Sequence, residues 1–202
     1  LNFDGLNLSL LEISHRSKAF VAVMNEARSL VKKLLQLQQD KEVLFLQGGA
    51  SQQFLMVPYN LLSLSQTAAY FDTGQWSHKA IAEAQNFGNV EVIASSKDAN
   101  YAYIPKQWIA NEQLLRKTYA YVHFTTNNTI FGTQWSSNLV ATLLSQAQAP
   151  VVADMSSDIF SRQLDFDRMA LIYAGAQKNM GPAGTTLVVI NKSVLTKKDS
   201  FI

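Results

Sequence analysis

Cysteine is absent from the 202 residues. A disulfide framework, a thiolate metal site and thiol redox chemistry are thereby excluded, and the absence fits the cytoplasm, which is the expected location. No metal site is expected. Long apolar runs are also missing. None approaches the roughly 20 residues needed to span a bilayer, and the opening LNFDGLNLSLLE has neither the basic start nor the small-residue cleavage site of a secretory signal. No membrane association is expected. Charge of one sign is scarce: 17 Lys and Arg against 15 Asp and Glu leave a formal charge of +2. The basic residues stand singly or in pairs and form no stripe, so nucleic acid is not an expected partner. Low-complexity tracts, internal repeats and a clear linker are lacking as well.

With 48% hydrophobic and 16% charged residues, the chain can bury a substantial core and reads as one globular domain or a large part of one. From Ser17, apolar residues at Phe20, Val23, Met24, Ala27, Leu30, Val31, Leu34 and Leu35 recur at three and four, the stripe of an amphipathic helix packed on a core. Val43 to Leu46 is short, wholly apolar and followed by Gly48-Gly49, the pattern of a strand buried on both faces of a parallel sheet. Further strands are predicted at Ala68 to Phe71, Val90 to Ala94, Tyr119 to Phe124, Val151 to Asp154, Leu171 to Ala174 and Leu187 to Ile190. The fold class is α/β: three α/β/α layers around a mainly parallel central sheet. Residues 197–202 follow a buried strand without the helix that would cover such a sheet, so the chain reads as cut.

In sheets of this kind ligands sit beyond the carboxyl ends of the strands, so the residues just after each apolar run carry the information. After Val43 to Leu46 comes Gln47-Gly48-Gly49-Ala50-Ser51-Gln52-Gln53-Phe54, two glycines leading into a helix whose first N–H groups are free for a phosphate. Taken alone, a Gly-Gly turn between a strand and a helix is more often just a tight connection, and no Gly-Lys-Ser/Thr follows, so this is not a Walker loop. After Phe71, Asp72-Thr73-Gly74-Gln75-Trp76 sets a tryptophan where a flat ring can stack, or simply a core tryptophan. Asp154 ends an apolar strand as a carboxylate that needs a cation or donor, or caps a helix. Lys178, within Tyr173-Ala174-Gly175-Ala176-Gln177-Lys178-Asn179-Met180-Gly181-Pro182-Ala183-Gly184, is hard to read as a solvated charge. Small neighbours and a strand-end position suit an amine desolvated to form a Schiff base. Amine, acid, stacking ring and phosphate-binding helix start are the parts of a pyridoxal-phosphate site.

Four segments, Glu12-Ile13-Ser14-His15-Arg16-Ser17, Gly48 to Phe54, Asn128-Thr129-Ile130-Phe131-Gly132 and Ala174 to Gly184, resemble the signatures of the phosphoserine aminotransferases, in that family's order, over Glu12 to about Asn191. The resemblance implies that pyridoxal 5'-phosphate is carried on Lys178, with Asp154 on its pyridine nitrogen, Trp76 on the ring face and Thr129 on the ring oxygen. Ala50, Ser51 and Gln177 are the implied phosphate holders. Arg16 is the implied clamp for the substrate carboxylate, as a guanidinium fork meets a carboxylate in two parallel bonds, and His15 the aid for the substrate phosphate.

The implied substrates are glutamate and 3-phosphohydroxypyruvate, with a related phosphorylated hydroxy-keto acid of vitamin B6 synthesis as an additional one. Many bacterial members carry arginine at the place of Ser51, which removes one substrate-phosphate contact here. The family also has a short N-terminal segment and a small C-terminal domain outside residues 1–202, which are then the large domain of a longer protein. A partner's Asn-Thr pair completes its phosphate cup, so a homodimer is expected. Two alternatives stay open: another aminotransferase of the same fold, which the His15-Arg16 pair argues against, and a truncated non-catalytic module.

Overall fold

The computed structural model describes residues 2–3, 5–38 and 40–195. Its helices are α1 (Lys18–Leu34), α2 (Gly49–Leu61), α3 (Gln75–Ala84), α4 (Glu112–Arg116), α5 (Ser137–Gln146), α6 (Ala176–Asn179) and α7 (Lys192–Leu195). Its strands are β1 (Lys41–Leu46), β2 (Thr67–Asp72), β3 (Asn89–Ser95), β4 (Val122–Thr125), β5 (Asn127–Asn128), β6 (Thr133–Gln134), β7 (Val151–Asp154), β8 (Met169–Gly175) and β9 (Thr186–Asn191). All the strands read from the sequence are present and build one sheet in the order β1-β9-β8-β7-β4-β2-β3. From β3 to β8 each neighbour pairs in parallel, while β9 pairs antiparallel with both β8 and β1. The reversed strand β9 is thus the one departure from a common strand direction.

Alternation along the strands separates two apolar faces. Phe71, Phe124, Ala153, Ile172 and Val189 point to one side, where they meet Val31 and Leu35 at the end of α1 and Leu139 and Leu143 of α5. Tyr70, Val152, Tyr173 and Val188 point to the other, against Phe54 and Val57 of α2 and Ile81 of α3. These are the three expected layers. No helix among the described residues is long and apolar enough to cross a membrane.

Three local expectations need correction. The run Val43 to Leu46 lies in an edge strand hydrogen-bonded antiparallel to β9, and Leu44, Phe45 and Leu46 are only partly buried. A short apolar run reports burial without saying which neighbour supplies the ladder. The helix α1 begins where its apolar stripe predicts, just after Ser17, whose Oγ caps it by accepting the Phe20 amide at 3.2 Å. Its stripe is less covered than predicted, because α1 packs beside the edge strand β1: Val31 is buried but Leu30 and Leu34 are about half exposed. The final strand is followed by the short helix α7, whose Val194 packs on the second face; residues 197–202 lie outside the described residues.

The edge strand is fastened by a buried cation. Lys41 is 1% exposed, and its Nζ donates to the carbonyls of Asp167 at 2.7 Å and Met169 at 2.6 Å, at the entry to β8. Burial pushes this amine below its ordinary value. Lys41→Met leaves both carbonyls without their donor and should cost about 2–4 kcal/mol. A fall in the urea unfolding midpoint at pH 7 checks this; an unchanged midpoint contradicts it.

Candidate functional site

Chain direction decides where the site lies. Strands β1, β2, β4, β7 and β8 run the same way, and their carboxyl ends open into one cleft of about 590 Å³, counting its solvent-open part. That size suits a small-molecule site. Its walls come from the start of α2 (Ala50, Ser51, Phe54), the start of α3 (Trp76), the end of β4 (Thr125), the β5–β6 hairpin (Asn127, Thr129), the end of β7 and its turn (Asp154, Ser156, Ser157) and α6 (Gln177, Lys178).

The α2 wall follows from its glycines. Gly48 sits at φ 101° and Gly49 at φ 70°, the left-handed region, and a Cβ on Gly48 would fall 1.5 Å from Gln52 Oε1. Gly48 caps the helix without a side-chain hydrogen bond, so the first-turn amides of this 13-residue helix stay available to an anion. Across the cleft, Trp76 presents its ring with the Lys178 amine 6.0 Å from the ring centroid. On the neighbouring helical turn, Lys79 lies 5.0 Å from the same centroid.

Asp154 is the electrostatic centre. It is 3% exposed, and burial pushes its carboxyl up to about 6; hydrogen bonds from Ser156 and the charge of Lys178 pull it down, and Asp158 adds to the rise. Both bonds it accepts fall on Oδ1, from the Ser156 amide at 3.0 Å and the Ser156 hydroxyl at 2.7 Å, which leaves Oδ2 for a ligand. Beneath the cleft on the same sheet face, the Tyr173 hydroxyl meets His123 Nε2 at 2.8 Å, and the Tyr70 hydroxyl meets that of Tyr121 at 2.7 Å. Burial lowers His123 to about 3 and raises Tyr173 well above 10, so this floor is neutral at physiological pH. A dry, neutral floor under a carboxylate with one uncommitted oxygen fits a ligand that brings a cationic nitrogen.

Each of the seven residues expected at the cofactor, Ala50, Ser51, Trp76, Thr129, Asp154, Gln177 and Lys178, lines this cleft. One detail differs from expectation: Lys178 is exposed, since the small residues around it leave its amine open to the solvent side. His15 and Arg16 are exposed on the turn before α1 and are not among the lining residues. Sequence reasoning missed Thr125, Asn127, Ser156 and Ser157. Their signal was present, since each lies within three residues of the carboxyl end of β4 or β7.

The raised carboxyl of Asp154 has a sign that can be tested without any ligand. With a folded value of about 6 against an ordinary 3.8, its contribution to stability is fully present below about pH 3.8 and is lost as pH rises through about 6. Asp154→Asn removes the loss and keeps an oxygen for Ser156. The cofactor-free variant should gain up to about 3 kcal/mol at pH 7.5, a gain that vanishes near pH 4. Thermal unfolding across this range checks it, and equal stability at pH 7.5 contradicts it.

Comparison with known proteins places the chain in a family. The model of the Aminotransferase class-V family matches residues 4–201. The phosphoserine aminotransferase of Flavobacterium psychrophilum is 56% identical over 203 residues, an alignment covering 100% of this chain and 54% of that protein. The solved phosphoserine aminotransferase of Bacillus circulans subsp. alkalophilus superposes with a TM-score of 0.86 at 40% identity, covering 98% of this chain and 52% of that one. The enzyme of Trichomonas vaginalis, solved with PLP bound, gives 0.83 at 29% identity, covering 100% of this chain and 54% of that one. The chain thus spans about half the length of the curated relatives it matches, and it belongs to the class-V aminotransferase family.

Proposed function

We propose that the chain is the large domain of a phosphoserine aminotransferase, which moves the amino group of glutamate to 3-phosphohydroxypyruvate and leaves 2-oxoglutarate and O-phosphoserine. The observation that carries this reading is the meeting, in one cleft, of the Lys178 amine, the buried Asp154 carboxylate, the Trp76 ring and the uncapped start of α2. The relatives at 56% identity that bear this name support the choice of substrates.

Bound in the cleft, pyridoxal phosphate supplies an aldehyde that accepts and returns the amino group and a ring that withdraws electrons from the reacting carbon. Lys178 holds that aldehyde through its amine and moves the α-proton of the amino acid as base and then acid. Asp154, through its uncommitted Oδ2, would hold the ring nitrogen and, ionised above about pH 6, would keep it protonated. Amides of Ala50 and Ser51, with Gln177, would hold the phosphate; Trp76 would cover the ring face and exclude water, and Thr129 would donate to the ring oxygen. Arg16 takes the substrate carboxylate and His15 assists at the substrate phosphate; both are exposed, and Arg16 has no side-chain partner among the described residues. Ser51, standing where many relatives have arginine, leaves that phosphate to other groups.

We infer a cytoplasmic homodimer. The exposed Leu55 and Tyr59 on α2 and Leu64 just after it, beside the wall that holds the phosphate, support a subunit contact there.

Lys178 is exposed and leaves no cavity when shortened, so Lys178→Ala should abolish formation of O-phosphoserine from glutamate and 3-phosphohydroxypyruvate with an unchanged unfolding temperature. An assay of the loaded protein decides; near-normal turnover in the variant sinks the assignment.

A further inference from the structure

The turn after β7 makes more hydrogen bonds than a connection requires. Residues 155–162 hydrogen-bond to two of the segments that bring groups to the cleft, the arms of the β5–β6 hairpin and the segment of α6. Ser156 Oγ, besides donating to Asp154, accepts the Gly175 amide at 3.2 Å, at the entry to the helix of Lys178. Asn127 Nδ2 donates to Ser157 Oγ at 2.9 Å, at the base of the hairpin of Thr129. Asn179, next to Lys178, donates to the carbonyl of Ile159 at 2.5 Å. Phe160 holds φ 64°, a conformation unfavourable for a bulky side chain that surrounding contacts must impose.

At the centre of this turn is Asp158, 3% exposed and four residues from Asp154. Its Oδ1 accepts the Thr126 hydroxyl, and its Oδ2 accepts Gln134 Nε2 at 3.1 Å and Arg162 Nη2 at 3.2 Å. Arg162 Nη1 also donates to the Trp135 carbonyl at 2.5 Å. Thr126 precedes the hairpin, while Gln134 and Trp135 end it, so one carboxylate clamps both arms of the loop that presents Thr129. Apolar packing would have served a purely structural corner at lower desolvation cost, which makes a buried ion pair here informative.

We propose that Asp158, paired with Arg162, is a positioning residue of the cleft: it locks the Thr129 hairpin against β7 and sets the electrostatic field that Asp154 experiences. The inference rests on the pyridoxal-phosphate reading for its consequence. Asp154 faces few other charges. Tyr173 from β8 and His123 from β4 are neutral through burial, leaving Lys178 of α6, which favours the ionised carboxylate, and Asp158, which opposes it. Arg162 balances Asp158.

Two variants separate this role from a merely structural one, because they unbalance the charge in opposite senses. In the cofactor-free protein, with the Asp154 carboxyl followed by carbon-13 NMR, Asp158→Asn should lower the pH at which Asp154 ionises. Arg162→Gln should raise it, each by about half a pH unit or more. After loading with pyridoxal phosphate, both variants should lose it severalfold faster than the unaltered protein on gel filtration, because the hairpin is no longer clamped. Opposite shifts together with faster loss support the proposal. Shifts in one direction, no shifts, or unchanged retention overturn it. Failure of the unaltered protein to bind pyridoxal phosphate refutes the functional reading separately, since the NMR arm needs no cofactor.

Discussion

A carboxylate removed from water at the end of a parallel strand is the constraint on which this structure turns. Asp154 cannot be paid for by the core around it: its neighbours below are neutral aromatics, and only Oδ1 is hydrogen-bonded. Such a group either holds its proton, as the rise to about 6 describes, or is completed by a cation. The sheet supplies the geometry for that completion, because five strands running one way release their next residues into the same space. The antiparallel β8–β9 hairpin then returns residues 176–185 over that space, which is how Lys178 comes to face Trp76.

Much of this was legible in the sequence. The apolar runs located every strand of the large sheet; for β2, β4, β7, β8 and β9 the reason is that a strand covered on both faces has no polar side to break the run. The apolar stripe from Phe20 located α1, and the structure adds Ser17 as its cap. The cleft lining was legible in part: Lys178 at a strand end is a residue type that packing does not explain, while Asp154 and Trp76 each had an ordinary reading, as helix cap and core tryptophan, and gained weight only by standing with it at strand ends.

What was not legible depends on partners far away in sequence. No local pattern says that Val43 to Leu46 pairs with the reversed strand β9, since register and direction are properties of two segments and the run describes one. The shallow seating of α1 has the same origin, because a stripe shows which face is apolar and not how much of it an edge strand can cover. The clamp formed by Asp158, Thr126, Gln134 and Arg162 joins residues up to 36 apart in number through side-chain bonds alone. Polar residues in a turn read as ordinary loop chemistry until the fold brings their acceptors together.

The central claim is that this single cleft holds pyridoxal phosphate on one particular amine. Loading the protein with the cofactor, reducing with borohydride and mapping the labelled peptide by mass spectrometry tests it most directly. The account predicts the label on Lys178; label on Lys79, the other amine beside Trp76, or no fixed label at all, would contradict it.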